Sequence, residues 1–329
     1  MTRQTVNTTN RKSRWIRLIS FFLVLTLLLA LCSWALYPRD NTRQSGITHP
    51  DAFGFSAISP GLIDIVAIGN SNIYSGFSPM ELWGRYGYAS YVSGEPRQQM
   101  VSAVSILKEY LATQSPKIVI LDADEVFTGN NHLNSVAQSA IEEHIPLIKY
   151  HNNWKTLRFS TLLHRPCQNY ISPLMGQSVS RIVRGYTGGN YMKACPGRSG
   201  TEKIPTAALL SLNTFTSLCK DRNIPLLLIT IPCATSWSTA RHDAIAQYAK
   251  DNGLTYLDFN VMNKETGFDW KSDTGDGGTH LNLSGSRKVT AYLGAYLKQH
   301  CSSLQDRRPD AAWALWGKYY KRYCKDYAV

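Results

Sequence analysis

Residues 63–69 read IDIVAIG, and residues 70–72 follow as NSN. Ile63, Ile65, Val66 and Ile68 make a short β-branched run that Gly69 stops, the pattern of a strand buried on both faces. Downstream, Ser78-Pro79-Met80-Glu81 joins a capping serine, a proline at the first helical position and a glutamate three residues after the serine, so a short helix is expected there. The alternation then repeats. Strands are expected at 88–92, at 117–121 (KIVIL), at 224–231 (IPLLLITI) and at 255–259. Between them, Val101, Val104, Leu107, Tyr110 and Leu111 recur at helical spacing within 98–113. Further helices are expected from Thr206 through Leu218, from Ser238 to Asn252, and from about Ser284 to His300. Short apolar strands alternating with amphipathic helices imply an α/β protein, a three-layer α/β/α sandwich with a mainly parallel sheet. Residues 130–205, rich in Asn, His, Gly and Trp, interrupt the alternation and read as an insertion or cap over one end of the sheet.

Outward from this core, residues 18–36 (LISFFLVLTLLLALCSWAL) carry no charge over 19 positions, about the ~20 needed to cross a bilayer as a helix. Arg3, Arg11, Lys12, Arg14 and Arg17 precede them without an intervening acid, which places the basic tail (1–17) in the cytoplasm and the remainder outside. A cleaved signal peptide is the alternative. Residues 37–60 read as a polar linker, 61–304 as the main domain, and 305–329 as an amphipathic helix. In that last helix Trp313, Trp316, Tyr320, Tyr323 and Tyr327 alternate with Lys318, Lys321, Arg322 and Lys325. Packing against the main domain is its expected role, and lying on the outer membrane surface is the second.

The 329 residues are 43% hydrophobic, which excludes general disorder. Net charge is +12, and removing the five N-terminal cations leaves +7. A basic surface suits an anionic glycopolymer or phospholipid headgroups. No zinc-finger spacing or RNP-like strand supports a nucleic-acid partner. Seven cysteines are present. Cys32 lies in the apolar segment. The other six permit disulfides in an oxidising compartment, with Cys167 and Cys195, in one irregular region, as the favoured pair. No CxxC motif occurs, and His151, His242 and His280 show no metal-ligand spacing, so neither a metal nor a cofactor is expected.

Ser71 follows the first strand directly, and ligands of open α/β sheets bind beyond the carboxyl ends of the strands. A serine there, opening a following segment, can offer its hydroxyl and its own N–H to one substrate carbonyl. His280 lies in DGGTHLN (276–282), a glycine-containing loop ahead of the last core helix. A parallel sheet brings that loop to the same edge as Ser71. A histidine near a serine can act as general base while a carboxylate, Asp276 or Asp273, holds its tautomer.

These two motifs together resemble the SGNH/GDSL hydrolase superfamily, and within it the extracytoplasmic DltD-like branch, associated with D-alanyl-lipoteichoic acid synthesis. The resemblance runs through IVAIGNSNIYSGFSP (65–79), YHNNWK (150–155), DFN (258–260) and residues 273–285, and so covers roughly residues 60–300. It implies a flavodoxin-like sandwich, Ser71 as nucleophile, His280 as base, and Gly94 as the glycine whose N–H joins that of Ser71 in an oxyanion hole. Such donors are each worth on the order of 10²–10³ in rate. Two departures stand out. The superfamily places its Asp three residues before the His, where this chain has Gly277, so Asp276 is the expected acid and Asp273 the runner-up. An Asn donor is usual after the third strand, where this chain has Asp122-Ala123-Asp124-Glu125, and a carboxylate facing an oxyanion would repel it. Gln98 and Asn130 are the substitute donors. Asn72, Gln98 and Trp237 are candidate substrate contacts, Trp237 by stacking on a sugar face.

The reading that results is a single-pass membrane protein with an extracytoplasmic serine esterase or O-acyltransferase domain. Its partner would be a cell-envelope glycopolymer bearing acyl esters, acetyl or D-alanyl, or the donor of that acyl group. The alternative is a non-catalytic polymer-binding or assembly protein that keeps the fold, as the displaced acid and the missing Asn suggest.

Overall fold

The computed structural model describes residues 8–128, 137, 141–142, 145–155, 157–159, 162–192 and 202–328, with side chains from residue 13 onward. The chain divides into two units, Met1–Thr48 with Ala140–Cys167, and His49–Ser139 with Gln168–Val329. The first contains α1 (Thr8–Leu36), a single long helix whose apolar side chains are exposed along its length.

The second unit is built on five parallel strands, β1 (Ile65–Gly69), β2 (Ser90–Gly94), β3 (Ile118–Asp122), β4 (Leu226–Thr230) and β5 (Thr255–Asp258), in the order β2-β1-β3-β4-β5. Side chains alternate between two cores. Val66, Ile68, Val119, Leu121, Leu226 and Leu228 face one, with Leu107 and Tyr110 of α4 (Met100–Thr113) and Leu212 and Phe215 of α5 (Thr206–Lys220). Ile65, Ala67, Ile118, Ile120, Leu227 and Ile229 face the other, with Ile73 and Phe77 from α2 (Ser71–Gly76) and its end, Leu82 of α3 (Pro79–Tyr86), and Val289, Leu293 and Leu297 of α7 (Leu283–His300). Burial on both faces explains why the strands carry unbroken apolar runs. Each fully buried Val, Leu or Ile contributes about 1.5–3 kcal/mol. The remaining core helix, α6 (Thr239–Asn252), is capped by Ser238, whose Oγ accepts from Arg241 N at 3.3 Å.

Local details depart from the sequence reading. Thr206 is the first residue of its helix and not its cap. The helix expected from about Ser284 starts at Leu283, and Asn282 caps it by accepting from Gly285 N at 3.1 Å. Ser78 accepts from Glu81 N, but Glu81 does not reach back to close the box. Its buried carboxylate binds Arg85, Arg287 and the Tyr323 hydroxyl. Residues 49–60 are not a free linker. They form two short helical turns, Pro50–Phe53 and Gly54–Ala57, whose carbonyls at Asp51 and Ala52 accept from the Tyr91 and Ser93 hydroxyls. Of the described residues within 130–205, 168–192 belong to the sheet unit, where Met175 O accepts from Val92 N on the free side of β2, while 145–155 and 157–159 belong with α1. Among the described residues Cys167, Cys219, Cys233, Cys301 and Cys324 are free thiols, as is Cys32, and Cys195 lies outside them.

The C-terminal helix, α8 (Ala314–Tyr327), packs on α3. Trp316 is fully buried, stacks on Trp83 at 6.2 Å and donates its indole N–H to Ser90 O at 3.1 Å. Trp316→Ala should therefore destabilise the sheet unit by about 3–5 kcal/mol, measured by urea denaturation. A loss below about 1 kcal/mol would mean that α8 is an appendage.

Candidate active site

The strand order reverses between β1 and β3, and the crevice beyond their carboxyl ends is where an open α/β sheet binds ligands. Ser71 opens α2 immediately after β1, capped by Asn70, whose side chain accepts from Asn72 N at 2.8 Å. As the first helical residue, Ser71 has an N–H without an intrahelical acceptor. Tyr74 follows one turn along the same helix; burial raises its pKa, and the nearby Ser71 side chain opposes that rise. Gly94 ends β2 opposite Gly69. A Cβ there would lie 2.9 Å from both the Gly69 and Asn70 carbonyl oxygens, so only glycine lets β2 approach the serine turn this closely.

Behind that turn lies a carboxylate that the sequence reading took as a threat to the site. Asp124 is buried, and its oxygens are turned away to internal donors. Oδ2 accepts from Asn70 Nδ2 (2.8 Å) and Asn72 Nδ2 (3.0 Å), and Oδ1 accepts from Ser236 Oγ (2.8 Å). One side chain thus ties the loops after β1, β3 and β4. Two further acids stand beside it. Burial pushes Asp122 well above the usual carboxylate range, with Asp124 adding to the rise. Burial likewise pushes Glu125 up to about 8, although Gln98 Nε2 donates to its Oε1 at 3.1 Å.

His280 sits on the loop ahead of α7. Gly277 (φ +88°) and Gly278 (φ +104°) take left-handed conformations that fold the chain back on itself. The result is a compact chelate. Asp276 Oδ2 lies 2.6 Å from His280 Nδ1, and Oδ1 accepts from His280 N (2.8 Å) and Thr279 N (3.1 Å). Partial burial works to raise the Asp276 pKa, but these donors hold it below its ordinary value. The other ring nitrogen, Nε2, is sealed from solvent and has no hydrogen-bond partner among the described residues, so it is not bonded to Ser71 in this arrangement. The loop joins the same network as the serine turn: Ala234 N donates to Gly278 O (2.7 Å) and Thr235 Oγ1 to Thr279 Oγ1 (3.1 Å), next to the Ser236 that binds Asp124.

The other sequence candidates lie elsewhere. Asp273 is fully buried and accepts from Asp269 N and Lys288 Nζ, each at 2.7 Å, a structural anchor without contact to His280. Asn72 and Gln98 are buried, and their side-chain amides donate to Asp124 Oδ2 and Glu125 Oε1. Trp237 is 3% exposed, donates to Asp258 Oδ2 at 2.9 Å and meets Phe127 edge-on. It packs within the core on one face of the sheet. His242 shares Asp258 at 2.6 Å, which raises its pKa. Asn130 lies outside the described residues. Among the described residues no group of three or more His, Cys, Asp or Glu is gathered as metal ligands. A cavity of about 290 Å³, lined by Arg85, Arg287, Lys288 and Tyr292 among others, includes none of Ser71, Gly94, Asp276 or His280. Tyr74 and Ser236 are the site neighbours that sequence reasoning missed, and of these Tyr74 left a signal, its three-residue helical spacing from Ser71.

No protein-family model and no curated protein matches the chain. Solved structures resemble it in outline. A Bacteroides fragilis protein assigned as an acylhydrolase aligns with a TM-score of 0.38 at 12% identity, over 76% of this chain and 94% of that one. A Streptococcus pneumonia protein assigned as a platelet activating factor aligns with a TM-score of 0.38 at 14% identity, over 83% and 99%. A GDSL-like lipase from Bacteroides thetaiotaomicron gives 0.34 at 12% identity, over 73% and 87%.

The buried acids carry a pH signature. Glu125 binds its proton more tightly folded (about 8) than unfolded, where its ordinary value is 4.5. The folded state therefore holds the extra proton between those values, and stability falls as pH rises through that window. Glu125→Gln, neutral at every pH, should flatten the loss. In thermal melts the variant should gain on the parent from pH 6 to pH 9, and parallel profiles would refute the assignment.

Proposed function

We propose that this chain is a membrane-anchored serine esterase or O-acyltransferase of the SGNH/GDSL type, acting outside the cytoplasm on acyl esters of a cell-envelope glycopolymer. The observation that carries the reading is His280. Its Nδ1 is fixed by a carboxylate, which sets the tautomer, and its Nε2 is sealed and unpartnered, in a network shared with the Ser71 turn. Leaving a buried acceptor unpaired costs about 1–3 kcal/mol, which fits a nitrogen reserved for a proton in transit.

In the proposed mechanism Ser71 attacks the ester carbonyl as His280 Nε2 takes its proton. The Ser71 and Gly94 N–H groups receive the oxyanion. His280 returns the proton to the departing alcohol, and the acyl-enzyme then passes its acyl group to water or a polymer hydroxyl, with His280 again as base. Asp276 keeps the imidazole oriented throughout. The non-catalytic alternative draws support from the open Ser71–His280 bond, although such bonds are often loose before substrate arrives.

The anchor rests on α1. Within Ser13–Leu36 an 18-residue stretch has a mean hydropathy of 2.4, and none of that stretch is buried within the protein. Trp15 stands at one end, and Trp34 and Tyr37 at the other, all exposed. The two tryptophans are separated by about 28 Å along a helix rising ~1.5 Å per residue, close to the ~30 Å hydrocarbon thickness. That spacing matches the paired aromatic belts of a spanning helix, and the basic tail supports a cytoplasmic N-terminus.

Ser71→Ala should abolish both ester cleavage and labelling by a fluorophosphonate probe while the fold persists. Labelling that survives in the variant would sink the nucleophile assignment, and failure of the parent to label would favour the non-catalytic alternative. The acids should separate by phenotype. Asp276→Asn should lower kcat, by up to about 10⁴-fold if the triad is tightly coupled, with an unchanged melting temperature. Asp273→Asn should cost about 1–3 kcal/mol of stability and leave the kcat of the folded fraction near that of the parent. The reverse pattern would move the acid to Asp273.

A further inference from the structure

Residues 145–167 contain Lys149, Lys155, Arg158 and Arg165 and not one acid. They belong to the same unit as α1, and they are pinned to the end of that helix. The Tyr150 ring meets the Tyr37 ring edge-on at 5.6 Å. Asn153 Nδ2 donates to Leu36 O and Ser45 O, each at 3.2 Å, and Cys167 N donates to Arg39 O at 2.7 Å. The short helical turns Pro146–Tyr150 and His151–Lys155 therefore stand beside the last turn of the apolar helix, level with Trp34 and Tyr37.

The apolar side chains of this segment are not used to pack it. Trp154 is 64% exposed, Phe159 91% and Leu163 88%, and Ile148 and Leu157 are each at least 40% exposed. So many large apolar groups left in water, at the level where a helix leaves a bilayer, mark a membrane contact rather than a solvated loop. Their company agrees. Lys155 extends over the Trp154 ring at 5.9 Å and Lys149 over the Tyr150 ring at 5.4 Å, pairing an apolar body with a charged tip, as side chains at a lipid headgroup boundary do.

We propose that residues 145–167 form a second, interfacial membrane contact, with Trp154, Leu157, Phe159 and Leu163 entering the headgroup boundary of an anionic bilayer and the four cations meeting its phosphates. The proposal rests on the reading of α1 as a membrane span, which sets the depth of the segment. Polybasic segments beside a span are attracted to anionic lipid, and a second attachment fixes how the span's end sits in the headgroup layer.

The test is hydrogen–deuterium exchange on the full chain reconstituted into vesicles of phosphatidylcholine alone and of equimolar phosphatidylcholine and phosphatidylglycerol. Two variants accompany it, one with Trp154, Leu157, Phe159 and Leu163 each changed to Ser, the other with Lys149, Lys155, Arg158 and Arg165 each changed to Gln. Amides of 145–167 in the parent should exchange about tenfold more slowly than in the Ser variant, and the protection should be greater in the anionic vesicles. The Gln variant should lose that lipid dependence. Equal exchange in parent and Ser variant would overturn the contact, and equal protection in both lipids would overturn the role of the cations. The α1 amides report separately on the span. If they exchange freely while 145–167 stays protected, the span reading fails and the interfacial contact stands.

Discussion

Three donors on one buried carboxylate hold the site together. Asp124 follows β3, yet it accepts from Asn70 and Asn72 on the β1 turn and from Ser236 on the β4 loop. Hydrogen bonds to a charged acceptor are about twice as strong as neutral ones, and a buried carboxylate tolerates no vacancy among its donors. The arrangement of the crevice is therefore tied to one buried side chain, whose two oxygens are occupied by Asn70, Asn72 and Ser236.

The architecture was legible because it is written locally. β-Branched runs of five or six residues, buried on both faces, can hardly be anything but parallel strands, and Ser78 and Ser238 mark helix starts as their side chains require. The doubled glycine in the His280 loop was legible too, since a chain that must fold back within four residues needs the left-handed conformations that Gly277 and Gly278 adopt. What escaped was direction. Sequence places Trp237, Gln98 and Asn72 at the right edge of the sheet but not which way each side chain points, and all three point inward to acids. Residues 49–60 escaped for a related reason. Their partners, the Tyr91 and Ser93 hydroxyls, lie about forty residues away along the chain, and no local pattern announces such a bond.

The crevice combines two electrostatic regimes. Behind the serine turn, Asp122 and Glu125 are buried deeply enough that burial drives their carboxyls up. At the mouth, Asp276 is partly exposed and its bonds from the His280 loop drive it down. The same side-chain chemistry is thus divided into proton-holding groups inside and a proton-shedding group at the surface, and only the latter touches the imidazole.

The His280 loop has a bearing on how the protein comes into being. Asp276 and His280 meet within one short turn, so their pairing needs nothing beyond the local chain and can form as soon as that turn does. The serine reaches the same edge only after the parallel strands have paired and α3 has docked on α7, a closure exemplified by Ser78 N bonding Thr290 Oγ1 across 212 residues of chain. Contacts of that sequence separation form late in folding. The Asp276–His280 pairing is local, whereas the Ser71 turn joins that edge only through contacts of long sequence separation, so the two parts of the candidate site come together only in the folded molecule.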